Sequence, residues 1–312
     1  MESGVYVGVD VSKGRLDVAI RPSGEFFSEA NDERAISRVV KRLAALNCVR
    51  IVLEATGGYE TVLAAALWAV GLPVVIVNPR WARAFAHGLG QLAKTDRLDA
   101  RMLAQYAERP ELKIRELPDA ETRALKALCA RREQLIEMLV AERHRAERAA
   151  GALRRQIDGH LGYLRKQLGK LDDDLDQAVR NSPRWREMKE LLSTVPGVGR
   201  VLCAALIARL PELGRMNRGE VAALAGVAPI NRDSGKLRGK RMIEGGRADL
   251  RRILYMSALC GIRHNPVLSA YYRQLRERGK PGKVALIAAM RKLLLILNAM
   301  AKSRTPWRPP CP

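Results

Sequence analysis

Cysteine is scarce in this chain. The five present among 312 residues (Cys48, Cys129, Cys203, Cys260 and Cys311) are scattered, with no CxxC pair. That argues against a zinc site and a disulfide scaffold, and fits a reducing compartment. Aromatic residues make up 4%, which leaves few rings for stacking on a ligand. Long apolar runs are missing as well. The longest, near "KLLLILNAMA", reads as too short to span a bilayer, and no signal-peptide pattern opens the chain, so the expected location is the cytoplasm. Acidic residues are in deficit: 33 Asp and Glu stand against 55 Lys and Arg, for a net charge of +22.

The deficit is uneven. Residues 1–110 carry 14 basic against 12 acidic side chains, and residues 111–184 carry 16 against 13. Residues 185–312 carry 25 against 8, which is +17 of the total. A basic module attached to a nearly neutral one points to a polyanionic partner, nucleic acid above all. With so few aromatics, contact through the backbone phosphates is expected to dominate over base stacking.

Three regions follow from the patterning: 1–110, 111–184 and 185–312. In the first, "GVYVGVDV" (4–11), "RLDVAIRP" (15–22) and "GEFFSEA" (24–30) are three short strands separated by turns. An amphipathic helix over 31–47 follows, capped by Asn31 or Asp32. Then come strand 50–55, helix 59–70, strand 72–78 and helical residues from Pro79. Short apolar runs alternating with helices predict an α/β domain with a parallel portion buried on both faces. The order βββαβαβα is that of a ribonuclease-H-like domain, and also the opening order of actin-like sugar kinases.

The middle region carries no strand signal. Leu125, Leu128, Leu135 and Leu139 sit on a heptad frame with Arg132 in the gap, and Leu161, Leu164, Leu168, Leu171 and Leu175 repeat at 3-4-3-4 spacing. That is a coiled-coil seam, either a hairpin within the chain or a contact joining subunits. "AAGAL" and "DGHLG" are expected to mark a bend. The last third reads as all-α. "STVPGVGRVLCAALIARL" (193–210) resembles the turn and second helix of a helix-hairpin-helix element, whose Gly197 and Gly199 would offer backbone N–H groups to a phosphate. Further helices are expected at 219–229, "YMSALCGIR" and "KVALIAAMRKLLLILNAMA", and a disordered tail at "SRTPWRPPCP".

Four carboxylates carry the chemistry. Asp10 sits near the end of an apolar strand, where an unpaired carboxylate needs a cation, a donor or a metal; Lys13 is the local candidate for an ion pair. Glu54 occupies the C-terminal end of another apolar strand, where parallel sheets gather their ligand sites. Asp96 and Asp99 stand three apart in "LAKTDRLDAR", at a helix start. Thr95 or Asp96 could cap that helix, with Asp99 in its first turn favoured by the dipole, yet the same spacing puts both aspartates on one helix face. All four directed at one sheet edge would suit Mg²⁺, whose ligands are oxygens. Two such ions about 3.5–4 Å apart can activate a nucleophile and stabilise the leaving oxygen of a phosphodiester. Glu60, in the following helix, reads as a solvated residue.

"GVDVSK", "LEATGGYE" and "KTDRLDARMLA" resemble the Asp-Glu-Asp-Asp signature of the RuvC-like transposases of the IS110 insertion-sequence family, whose relatives include Piv-type DNA invertases. The four acids fall on Asp10, Glu54, Asp96 and Asp99. "LAGVAPINRDSGKLRGKRMIEGGRADLRRILYMSAL" is similar to that family's C-terminal transposase domain, with its Ser-Gly pair at Ser234-Gly235. The resemblance implies a RuvC-like domain binding Mg²⁺ (or Mn²⁺) through the four acids, and Ser234 as the nucleophile of a phosphoserine intermediate. It implies a structured bridge RNA pairing with donor and target DNA, and dimers or tetramers joined through the helical middle. The acids of one subunit would meet the serine domain of another, in a bacterial, nucleoid-associated protein.

Taken by itself, a serine before glycine in a polar loop is a turn residue. Its surroundings add to that: Arg232, Lys236, Arg238, Lys240, Arg241, Arg247, Arg251 and Arg252 lie close in sequence, against Asp233, Glu244 and Asp249. Arginines can hold a phosphate bidentately and stabilise charge building on it. Other classes are an Mg²⁺-dependent RuvC-like nuclease using water, for which Ser234 is dispensable, an actin-like kinase, and a non-catalytic nucleic-acid binder. The kinase lacks a second glycine-rich motif in this chain.

Overall fold

The computed structural model describes residues 4–308 apart from residues 92, 94, 111, 113–118, 232, 236 and 240. The chain divides into two compact units, Met1–Pro118 and Asp119–Pro312.

In the first unit the elements run β1 (Val5–Val11), β2 (Arg15–Arg21), β3 (Phe26–Ala30), α1 (Glu33–Ala44), β4 (Cys48–Glu54), α2 (Thr61–Ala69), β5 (Val74–Val77), α3 (Pro79–Gly88) and α4 (Asp96–Ala107). The strands form one sheet in the order β3-β2-β1-β4-β5. β1, β2 and β3 are antiparallel neighbours, whereas β4 runs parallel to β1, and β5 parallel to β4. The predicted strands and helices all form, within a few residues of the expected bounds. Asp32 caps α1 by accepting the Ala35 N–H at 2.8 Å.

Alternation along the strands sorts the side chains onto two faces. Val7, Val9 and Val11 of β1, Leu16, Val18 and Ile20 of β2, and Ile51 and Leu53 of β4 join a core with residues of α1 and α2. The opposite face takes Gly8 and Asp10 of β1, Asp17 and Ala19 of β2, and Val52 and Glu54 of β4. There Val52 packs with α3 and α4, and Ala19 packs with Ala100 and Ala104 of α4. α4 lies so close on β1 that a Cβ on Gly8 would stand 2.1 Å from the Ala104 amide nitrogen and 2.3 Å from the Ala100 carbonyl oxygen. Only glycine fits.

The second unit holds α5 (Ala120–Ala146), α6 (Gly151–Asn181), α7 (Pro183–Ser193), α8 (Arg200–Arg209), α9 (Arg218–Leu224), α10 (Ala248–His264), α11 (Pro266–Glu277) and α12 (Gly282–Ser303). Between α9 and α10, β6 (Pro229–Ile230) pairs with β9 (Met242–Ile243), and β7 (Asp233–Ser234) pairs with β8 (Leu237–Arg238). The leucine seam closes within the chain. α5 and α6 form an antiparallel hairpin in which Leu135, Leu139, Leu161, Leu164 and Leu171 share one cluster. Arg132, the break in the apolar pattern, meets Asp172 across the hairpin at 2.6 Å. The bend falls at "AAGAL" alone; "DGHLG" continues α6, because the apolar register runs through it and outweighs the roughly 1 kcal/mol that a helical glycine costs.

Two further expectations change. α12 is long and apolar enough to cross a bilayer, since Arg291 and Lys292 interrupt its apolar run without ending the helix. More than half of its most apolar window is buried within the unit, as in a core helix. The tail is not free over its described part: Trp307 packs on the core of α8, α10 and α12, and its N–H donates to Thr194 Oγ1 at 2.9 Å.

Replacing Gly8 by Ala is expected to displace α4 and to cost about 3 kcal/mol in chemical denaturation, since the clash is with backbone. Gly14→Ala, with nothing within 4 Å of the added carbon, is expected to change little.

Candidate functional site

Asp10 and Glu54 end neighbouring parallel strands, one step beyond the Val9–Leu53 pair, and both belong to the sheet face that α4 covers. Because the Gly8 contact presses α4 onto β1, the first turn of α4 brings Asp96 and Asp99 to the same edge. Thr95 is the cap, its hydroxyl accepting the Leu98 N–H at 3.3 Å. Thr95 therefore caps the helix start, and both aspartates of its first turn line the cavity. Asp10, Glu54, Asp96 and Asp99 line one cavity, together with Thr56, Arg83 and His87.

The electrostatics follow from the crowding. Asp10 is raised from the usual 3.8 to about 6, first by burial and then by Asp99, Asp96, Glu54 and Asp17. It makes no ion pair with Lys13, which stays exposed in the turn between β1 and β2. Among the described residues no three of His, Cys, Asp and Glu are grouped closely enough to hold an ion as they stand. Even so, four carboxylates around one polar cavity have the chemistry of a hard divalent-cation site.

Four contributors escaped the sequence pattern. Asp17 pairs with Asp10 in the β1–β2 register and is buried, accepting from Ser28 Oγ at 2.5 Å and from Arg15 Nε at 2.8 Å. The same guanidinium reaches Asp96, Nη2 to Oδ2 at 2.8 Å. Arg83 and His87 lie one turn apart on α3, a spacing that could have marked them. Glu60 is the correction: rather than solvated, it is buried before α2 and accepts the N–H groups of Thr56 and Gly58, each at 3.0 Å. A carboxylate folded back on a Gly-Gly turn satisfies backbone donors that would otherwise be orphaned, and so shapes the loop that follows Glu54.

Ser234 belongs to the other unit. It is exposed at the end of β7, where it pairs with Leu237 of β8 and precedes Gly235 at φ +54°. Asp233 braces this hairpin, accepting from the Gly239 N–H at 3.1 Å and Arg241 Nη1 at 2.8 Å. Arg247 grips Glu212 with both terminal nitrogens, at 2.9 and 2.8 Å, and Arg251 donates to the Gly245 carbonyl at 2.6 Å. Arg252 pairs with Glu137 at 2.8 Å. These three arginines thus have partners inside the unit. Arg232, Lys236 and Lys240 lie outside the described residues, as does the side chain of Arg238. In the α7–α8 turn, Gly197 at φ +94° packs on α10, where a Cβ would stand 2.7 Å from Gly261 Cα; Gly199 is exposed at the start of α8.

Two family models match along the chain. Residues 7–150 match the DEDD transposase model of IS110, and residues 189–273 match the model described as transposase, IS116/IS110/IS902 family. The chain belongs to this transposase family. The transposase is 27% identical over 317 residues to the pilin gene-inverting protein of Moraxella bovis, with 98% of each chain covered. The counterpart in Moraxella lacunata shows the same identity and coverage. The insertion element IS116 uncharacterized 44.8 kDa protein of Streptomyces clavuligerus is 26% identical over 387 residues, covering 99% of the transposase and 97% of the relative. The transposase is thus a DNA recombinase, an enzyme in which the acids lie within the first matched segment and Ser234 within the second.

The raised Asp10 has a stability consequence. Its ionisation is disfavoured by the fold, so it costs nothing below about pH 4, costs increasingly as pH rises toward 6, and costs fully above. Asp10→Asn is expected to unfold a few degrees higher than wild type at pH 8 in EDTA, and at the same temperature near pH 4. Differential scanning calorimetry at the two pH values checks this.

Proposed function

We propose that this transposase cuts and rejoins DNA through a phosphoserine at Ser234, with Mg²⁺ held by Asp10, Glu54, Asp96 and Asp99. The observation that carries the reading is the convergence of these four acids from two strands and one helix on a single cavity. The sheet order β3-β2-β1-β4-β5, with β2 antiparallel, supports a ribonuclease-H-like, RuvC-type first unit. End-to-end likeness to gene-inverting proteins supports rejoining rather than simple cleavage.

When bound, Mg²⁺ (or Mn²⁺) would lower the cost of charge on the attacking and leaving oxygens. The chain supplies the rest. The Ser234 hydroxyl gives up its proton and its oxygen bonds to phosphorus, while the bond to one sugar oxygen breaks and that oxygen takes up a proton. Attack by an incoming sugar hydroxyl reverses the step and frees Ser234, so the phosphodiester energy is conserved. An exposed hairpin tip braced by Asp233 suits a nucleophile that must reach a duplex.

The excess of basic residues in 185–312 supports contact with nucleic-acid backbones. The reading includes a structured guide RNA, donor and target DNA, a cytoplasmic setting and homo-oligomers. With the leucine seam used inside the chain, oligomers would form through other surfaces of the hairpin.

The experiment is strand exchange on the element's own ends with any co-purifying RNA retained. Ser234→Ala is expected to abolish both exchange and the covalent protein–DNA adduct, as are Asp10→Ala and Glu54→Ala, each by more than about 10³-fold. Cleavage persisting in Ser234→Ala would instead identify a nuclease that uses water.

A further inference from the structure

We propose that Arg15 is a counter-ion built into the acid site, holding Asp96 until a divalent cation replaces it. The proposal rests on the reading of Asp10, Glu54, Asp96 and Asp99 as metal ligands and assigns a role to a residue outside that set.

Arg15 opens β2 beside the acid edge of the sheet, and its fork joins two carboxylates of different kinds. Nε is fixed on Asp17, whose side chain is 3% exposed and also held by Ser28. Nη2 holds Asp96 Oδ2 across 81 residues of sequence, and Asp96 is 61% exposed. One end of the fork is therefore anchored in the core, and the other is a solvated ion pair of the weak kind. Arg15 and a metal ion would compete for the same Asp96 carboxylate, and their charges would repel each other at close range. With Asp96 on Arg15, the described acids do not close around a common point. Release of Asp96 from the guanidinium would free the first turn of α4 to complete the ligand set. Arg15 would stay anchored on Asp17.

The opposite role is a positioning one, in which Arg15 orients Asp96 for the metal. The two differ in sign. Removing a competitor tightens metal binding, whereas removing an orienting partner weakens it.

The test titrates Mn²⁺ into the full-length chain, followed by electron paramagnetic resonance, alongside thermal unfolding in EDTA. Arg15→Gln is expected to bind Mn²⁺ about tenfold more tightly than wild type, because a neighbouring positive charge is lost, and to unfold at lower temperature without metal, because the acids lose their neutraliser. Arg15→Lys keeps the charge without the fork and is expected to fall between. Equal or weaker Mn²⁺ binding by folded Arg15→Gln overturns the proposal. Should that variant not fold, Arg15→Lys binding no more tightly than wild type overturns it as well. If wild type takes up no Mn²⁺, the metal reading itself falls. If wild type binds, Asp10→Asn does not and Arg15→Gln is unchanged, only the role of Arg15 falls.

Discussion

The absence of one side chain governs the geometry of the acid site. Gly8 lets the backbone of α4 rest on β1, and the acids that do not come from strands are delivered by that helix. Two strand ends can place Asp10 and Glu54 side by side through register alone. Asp96 and Asp99, more than forty residues later in the chain, reach the same edge because the helix axis is pinned where no Cβ intervenes. A packing requirement with no chemistry of its own therefore decides where the chemistry can occur.

That arrangement works against stability. Asp10 bears the cost: its burial first, and then repulsion from the carboxylates gathered at the same sheet edge, hold its pKa well above the usual value. Arg15 offsets part of it on the solvent side, and the Ser28 and Arg15 donors satisfy Asp17 within the sheet. Glu60 shows the other use of a buried carboxylate. It is satisfied by two N–H groups and builds the loop without joining the site. Two glutamates six residues apart thus differ in role because one meets backbone donors at close range and the other ends a strand at the cavity.

Most of the first unit was legible in its residues. Period-2 alternation identified the strands, the apolar runs of β4 and β5 indicated parallel pairing, and strand-end acids indicated the site edge. What escaped were relations between distant residues. Nothing near Arg15 announces Asp96, and the buried place of Asp17 follows from the β1–β2 register, which a lone acid in "RLDVAI" does not reveal. Glu60 was misread because helical spacing says nothing about a side chain folded back on the preceding turn. In the second unit the heptads were plain, but whether they close within the chain depends on the four-residue connection between α5 and α6, which is a matter of geometry. The arginines near Ser234 were found as a cluster by counting. That Arg247, Arg251 and Arg252 serve as internal clamps is a property of the fold.

The hairpin of α5 and α6 also acts as a ruler. Its leucines interlock at heptad spacing, so inserting a single residue into one arm would rotate every side chain beyond it by about 100° and break the seam. Adding or removing seven residues from both arms would preserve every contact that remains. The arm can therefore change length only in steps of about 10 Å, two helical turns at a time. Within that rule, descendants of this chain could vary its reach without redesigning either end.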